Sequence, residues 1–291
     1  MDGSREMVER EVLIENDGPA GIAADVRTEA PGSPLPVIIL CHGFLGHRRW
    51  GWFPYLSRKL AGSGFHTITF SFSMNGYQQN EDRITEPIQF AGNTVSREVR
   101  DLKRVMKYVR ENFPFPAAEC SPGLFGHSRG GAVSIIAAAG SEEVQSLVTW
   151  STPSQLDRYT DRRRKHWKKT GKLVFRNNGS GGPLFLDYSY YLDIDRNREE
   201  YNLPLQMSRV KAPHLIIHGE RDAAVTLREA RELISRTGTG RVRFEVMEGS
   251  GHTFGVNGPM DLPPPRELDT AAGKTSQWFC DTLECRKETN E

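Results

Sequence analysis

The 291-residue chain carries 38 Lys and Arg against 37 Asp and Glu, a formal net charge of +1, which leaves no global electrostatic case for nucleic acid or a membrane surface as partner. Its length suits one domain with an insertion, or at most two domains. No apolar run approaches the length that spans a bilayer, the charged N-terminus lacks a signal-peptide core, and Cys41, Cys120, Cys280 and Cys285 lack zinc-like spacing. The expectation is a cytoplasmic protein in which Cys41 serves as a small buried hydrophobe.

Residues 10–16 and 20–29 alternate in polarity around the turn signal Asp17-Gly18-Pro19, which predicts an antiparallel hairpin at a sheet edge. Residues 37–42 form a continuous apolar run, the pattern of a strand buried on both faces. A helix over 54–64, a strand over 65–72 and a long polar loop over 73–92 follow. From Asn93 as N-cap, a helix runs through Val95, Val99, Leu102, Val105, Met106 and Val109 at spacings of three and four. A strand over 121–127, a small-residue helix from Gly130 and a strand over 145–150 complete this half.

Residues 152–205 break the pattern, being polar, tyrosine-rich and irregular, with a basic run at 162–169 and glycines around 179–182. Periodicity resumes in a strand over 214–219, a helix from Thr226 to Thr237, a strand over 241–248 and a helix from Leu268 to Cys285. Strands alternating with helices predict an α/β fold with a mostly parallel central sheet covered on both faces. Residues 1–151 and 206–291 form its core, and 152–205 is expected as a cap or lid inserted after the sixth strand.

Functional residues of such a sheet gather at the carboxyl ends of its strands. There the sequence places His42-Gly43-Phe44, Gly126-His127-Ser128-Arg129-Gly130, Gly219 to Asp222, and Gly251-His252. Serine between glycines at a strand-to-helix turn is the setting of an exposed nucleophile. A neutral serine needs an imidazole to take its proton, and the imidazole needs a carboxylate to fix its tautomer. Ser128, Asp222 and His252 supply these three groups in chain order.

With these motifs the chain resembles an α/β-hydrolase along almost its whole length. The resemblance implies Ser128 as nucleophile, His252 as base and then acid, and Asp222 as its orienter. It also implies an oxyanion hole of the Phe44 and Arg129 backbone N–H groups. The His-Gly-Phe and Gly-His-Thr-Phe contexts are most similar to cinnamoyl or feruloyl esterases and dienelactone hydrolases, with serine peptidases of the prolyl oligopeptidase type as relatives. Met74-Asn75-Gly76-Tyr77 departs from the Gly-His-Gly-x-Ser pattern of many capped esterases, and the elbow carries no cysteine, unlike dienelactone hydrolases proper.

Competitors for each role have plainer readings. Glu220 pairs with a neighbour or solvent, and Asp187, Asp193 and Asp195 fall in the insertion. His42 is expected to hydrogen-bond backbone and His127 to pack beneath the elbow. His47, His66, His166, His214 and His218 have no metal-ligand arrangement. The 162–169 run reads as a solvated face, or as a cation that meets an acidic substrate group. Phe185, Tyr188, Tyr190 and Tyr191 line an acyl pocket or form the insertion's own core. The expected function is a serine esterase acting on a small or medium carboxylic ester, with no cofactor or metal. The alternatives are an aminopeptidase-like enzyme with acidic side chains near its pocket, and a non-catalytic binding protein on the same scaffold. Oligomeric state is left open.

Overall fold

The computed structural model describes residues 6–16, 21–78, 83–117, 122–175, 182–237 and 240–283. The edge hairpin forms from β1 (Val8–Ile14) and β2 (Ile22–Thr28), antiparallel as the alternation predicts; its Asp17-Gly18-Pro19 turn lies outside the described residues. β3 (Val37–Cys41), α1 (Phe53–Gly62) and β4 (His66–Phe70) follow. Within the stretch predicted as loop, a short α2 (Pro87–Ala91) opens on proline, whose fixed φ suits a first helical turn. Then comes α3 (Val95–Asn112), capped by Thr94 rather than Asn93. Thr94 Oγ1 accepts from the Arg97 N–H at 3.3 Å, while the Asn93 amide is engaged one turn on, donating to buried Glu98 at 2.8 Å. β5 (Gly123–His127), α4 (Arg129–Ala139) and β6 (Ser146–Trp150) complete the first half.

The segment after β6 is regular where the sequence reads as irregular. It forms α5 (Asp161–Thr170), an antiparallel pair of β7 (Lys172–Phe175) and β8 (Leu184–Asp187), α6 (Tyr188–Arg196) and α7 (Leu203–Arg209). Its organising side chain is aromatic rather than aliphatic. Trp167 is the single buried residue of α5; it donates to the Leu186 carbonyl at 3.0 Å and packs against Tyr159, Tyr188, Tyr190 and Tyr191. One buried residue in a helix leaves no 3.6-residue stripe to detect. The chain closes with β9 (His214–Gly219), α8 (Leu227–Ile234), β10 (Val242–Met247) and α9 (Arg266–Thr282). α7 runs across residue 205 and packs against α4 and α8.

Eight strands make one sheet in the order β1-β2-β4-β3-β5-β6-β9-β10, parallel from β4 onward. Alternate residues of β3 face opposite core layers. Ile39 and Cys41 pack with Val99 and Leu102 of α3 and with α4, whereas Ile38 and Leu40 pack with Leu56 and Leu60 of α1 and Phe279 of α9. Each such buried aliphatic contributes roughly 1.5–3 kcal/mol. Register aligns the carboxyl ends: Cys41 lies opposite Gly126, His127 opposite Trp150, and Gly219 opposite Met247. The loops after β3, β5, β9 and β10 therefore emerge along one edge. Among the described residues no helix is long and apolar enough to cross a membrane.

Candidate active site

The turn between β5 and α4 sets the geometry. Ser128 has φ +53° and ψ −122°, a region L-residues rarely occupy and one that costs about 1–3 kcal/mol. Its neighbours must be small. A Cβ on Gly126 would lie 2.6 Å from the Gly130 carbonyl oxygen, and one on Gly130 would lie 2.5 Å from the Cys41 carbonyl oxygen. The Ser128 N–H donates to the Trp150 carbonyl at 2.8 Å, so the turn is pinned to β6 while its side chain stands above the sheet edge.

The side chains of Ser128, His252 and Asp222 meet there. His252, on the loop after β10, has Nε2 3.0 Å from Ser128 Oγ and Nδ1 2.7 Å from Asp222 Oδ2. Asp222 is buried, and its Oδ1 accepts from the Ala224 and Val225 N–H groups at 2.9 and 2.8 Å. Burial works to raise its pKa, yet the His252 hydrogen bond and charge and the Val225 N–H together hold it below the usual carboxylate value. An ionised Asp222 accepts from Nδ1–H, which leaves Nε2 free to accept the Ser128 proton.

Three of the competing carboxylates are engaged elsewhere. Glu220 accepts from the Gly249 N–H at 2.9 Å, Asp193 accepts from the Ser96 N–H at 2.9 Å, and Asp195 pairs with Arg198. Burial drives the pKa of both His42 and His127 down to about 3, so each is neutral. His42 donates from Nδ1 to the Gly43 carbonyl at 2.8 Å and accepts from the Phe72 N–H on Nε2 at 3.1 Å. His127 donates from Nε2 to the His252 carbonyl at 3.0 Å. Cys41, a free thiol, is buried, which pushes its pKa up to about 12; Cys120 and Cys285 lie outside the described residues.

Phe44 and Arg129 flank the serine. No acceptor among the described residues takes either backbone N–H. The loop carrying Phe44 is tied down at several points. Tyr77 donates to the Leu45 carbonyl at 2.9 Å and Asn75 to the Gly46 carbonyl at 3.3 Å. Beyond these, Arg48 and Arg49 reach buried Asp25 of β2 at 3.0 and 2.7 Å. Asn75 and Tyr77 belong to the stretch that departs from the capped-esterase pattern, and here they brace the loop beside Ser128.

A cavity of about 280 Å³ opens on Ser128 and His252. Phe44, Leu156, Tyr159, Tyr190 and Val225 supply apolar walls, with Gln155, Arg129 and Arg158 as polar members. Tyr190 thus lines the cavity, whereas Tyr188 and Tyr191 stack on each other at 5.5 Å beside Trp167. Of the basic run, Arg164 pairs with Asp157 and Asp161, Arg163 lies 5.9 Å from the Tyr159 and Phe175 rings, and none reaches the cavity wall. A second cavity, about 400 Å³, lies across residues 154–157 and touches none of Ser128, Asp222 and His252.

Sequence reasoning missed Glu98. It sits inside the apolar stripe of α3, between Val95 and Leu102, is buried, and pairs with the Arg129 guanidinium. A carboxylate at a core-facing helical position is the signal that marks it. Among the described residues no three His, Cys, Asp or Glu side chains assemble into a metal-ligand group.

Residues 38–263 match the model of the alpha/beta hydrolase family. No curated protein sequence shows significant similarity to the chain. Its fold is similar to an esterase domain from Rhodothermus marinus, with 17% identity, coverage of 95% of this chain and 100% of that one, and TM-score 0.65. Dienelactone hydrolase from Anabaena variabilis is similar at 18% identity, coverage 96% and 99%, and TM-score 0.62. The mouse alpha/beta hydrolase domain-containing protein 10 is similar at 17% identity, coverage 94% and 99%, and TM-score 0.68.

Proposed function

Because the chain belongs to the alpha/beta hydrolase family, we propose that it is a serine esterase cleaving small to medium carboxylic esters through an acyl-enzyme on Ser128. The observation that carries this reading is the continuous relay from Ser128 Oγ through His252 to Asp222, at 3.0 and 2.7 Å. Both distances lie within hydrogen-bond reach for proton transfer.

In this mechanism His252 Nε2 removes the Ser128 proton as Oγ attacks the ester carbonyl. The resulting imidazolium is stabilised by Asp222, whose carboxylate stays ionised. Negative charge on the carbonyl oxygen falls to the Phe44 and Arg129 N–H groups, which no acceptor among the described residues takes, at the N-terminal end of α4. His252 returns its proton to the leaving alcohol. Water, deprotonated by the same imidazole, then attacks the acyl-enzyme, and Ser128 recovers its proton as the acid departs. Every step uses these side chains, two backbone donors and water.

The cavity supports an ester over a peptide. Recognition of a free amino terminus calls for a carboxylate at the pocket, and the described residues that line it include Arg129 and Arg158 but neither aspartate nor glutamate. About 280 Å³ of mostly apolar space suits a small or medium acyl group. We read the segment between β6 and β9 as a cap, since Leu156, Tyr159 and Tyr190 form one wall of that space.

The test is a fluorophosphonate probe together with p-nitrophenyl esters of increasing acyl length and a matching set of aminoacyl amides. Labelling at Ser128, ester turnover that disappears in Ser128→Ala, and slower amide turnover are the expected outcome. Amides cleaved faster than esters would reverse the substrate class, and a folded protein that neither labels nor hydrolyses activated esters would remove the enzymatic reading.

A further inference from the structure

Arginine at the position after the nucleophile is unusually placed in one respect: its charged end turns inward. The Arg129 guanidinium borders the cavity, is about nine-tenths enclosed (11% exposed), and ion-pairs through Nη2 with Glu98 Oε1 on α3. Glu98 is itself buried and takes a second hydrogen bond from the Asn93 amide at 2.8 Å. Enclosing two charges carries a desolvation cost of several kcal/mol per ion that pairing does not always recover. A short or exposed side chain at residue 129 avoids that cost, so the pair calls for a role beyond stability.

The contacts of the guanidinium supply one. Its central carbon lies 4.5 Å from the centroid of the Phe44 ring and 5.7 Å from that of Tyr190. The Phe44 ring is also packed by Phe90 of α2 at 5.6 Å and Phe175 of β7 at 5.3 Å. We propose that the Arg129 side chain is a positioning residue that holds Phe44, and with it the Phe44 backbone N–H, in register with Ser128 for the oxyanion. This rests on the esterase reaction inferred above. One residue then contributes twice, offering its own N–H to the developing charge and using its side chain to fix the residue that offers the other.

The role is geometric rather than electrostatic. Glu98 sits against the guanidinium and opposes the field it would exert at the carbonyl oxygen, while burial pushes the Glu98 carboxyl above its usual range. What remains is a flat face that stacks on an aromatic ring while its edge is tethered to α3. Lysine keeps the charge and loses that face. Changing the side chain also leaves the Arg129 backbone donor in place, so the two contributions separate experimentally.

The experiment compares wild type, Arg129→Lys, and the charge-balanced double variant Arg129→Met/Glu98→Gln, which leaves no buried charge unpaired. Each is assayed with and without Phe44→Leu on one neutral p-nitrophenyl ester, with kcat, KM, thermal midpoint and the rate of fluorophosphonate labelling as readouts. Since a misplaced donor or a lost one costs about 10²-fold, Arg129→Lys and the double variant should each lower kcat roughly 10–100-fold while KM moves less than about threefold. The Phe44→Leu effect should largely vanish in either background, because both changes release the same ring. Full kcat in Arg129→Lys or in the folded double variant, or additive losses with Phe44→Leu, overturns the positioning role while leaving the esterase reading intact. A wild-type protein that neither labels nor hydrolyses overturns both.

Discussion

His127 Nε2 donates to the backbone carbonyl of His252 across 3.0 Å, joining the residue before Ser128 to the main chain of the imidazole that faces the Ser128 hydroxyl. The ring is buried, with its pKa lowered to about 3 by burial and then by the neighbouring His252. It is therefore a neutral donor through the neutral pH range. His127→Leu removes the donor, takes this partner from the part-buried His252 carbonyl and frees the His252 backbone. The expected result is a kcat decrease of roughly tenfold, little change in KM, and a stability loss of about 1–3 kcal/mol in urea denaturation. The pH profile of the residual activity should keep its shape, and a displaced acid limb would show that His127 titrates in turnover after all.

Asp222→Asn should be far more damaging to rate than to fold. An amide facing His252 Nδ1 favours the wrong imidazole tautomer, and the comparable change in a serine protease lowers kcat by about 10⁴. Steady-state kinetics on an activated ester should show a drop of roughly 10³–10⁴ with KM little changed. A loss smaller than about tenfold would mean that another group orients His252.

Asp25 organises a charge network that reaches the loop carrying Phe44. Its buried carboxylate meets Arg27 at 3.2 Å, Arg48 at 3.0 Å and Arg49 at 2.7 Å. Burial opposes its ionisation, but the hydrogen bonds and charges of the three arginines win, and its pKa lies below the ordinary value. Its stabilising contribution is thus complete above the unfolded-state pKa near 4 and is lost as pH falls through the lower folded value. Asp25→Asn removes the carboxylate that the three arginines share and leaves them Glu9 and Glu11, so it should cost about 1.5–3 kcal/mol at pH 7. The gap in unfolding free energy between the two proteins should stay constant above about pH 5 and narrow below about pH 4. A gap that widens in acid contradicts the assignment.

Ser128→Gly tests stored strain at the elbow. Glycine accepts φ +53° and ψ −122° without steric penalty, which relieves about 1–3 kcal/mol and gives back about 0.5–1 kcal/mol in unfolded-chain entropy. The variant should be inactive yet melt higher than wild type, by about 1 kcal/mol in unfolding free energy. A lower midpoint would show that Ser128 is not held against its conformational preference.

Local signals carried much of this protein. The apolar run at 37–42, the alternation at 10–16, and the glycines around Ser128 each report a short-range constraint that the packed fold agrees with. For this reason β3, β1 and the elbow stand where the sequence puts them. The order Ser128, Asp222, His252 was legible because strand ends deliver their loops to one edge. Side-chain direction was not. Nothing local says that Arg129 turns inward, since its partner Glu98 is 31 residues away on another helix. The same holds for Asn75 and Tyr77, whose acceptors at Gly46 and Leu45 are fixed only when β3 and β4 pair. The 152–205 segment escaped because Trp167 and a tyrosine cluster do the work that an aliphatic stripe does elsewhere.

The arrangement of the cavity also governs how this protein can diversify. Ser128, Asp222 and His252 each follow a strand of one sheet, whereas Leu156, Tyr159 and Tyr190 arrive from the stretch between β6 and β9. On the esterase reading proposed above, bond breaking and substrate reading fall on separate lengths of chain, and the second can be exchanged while the first stays put. Tyr190 sets the condition for such an exchange, because it shares the Arg129 guanidinium with Phe44. A transplanted wall that keeps an aromatic ring at that point inherits a working reaction centre, and one that omits it changes selectivity and rate together.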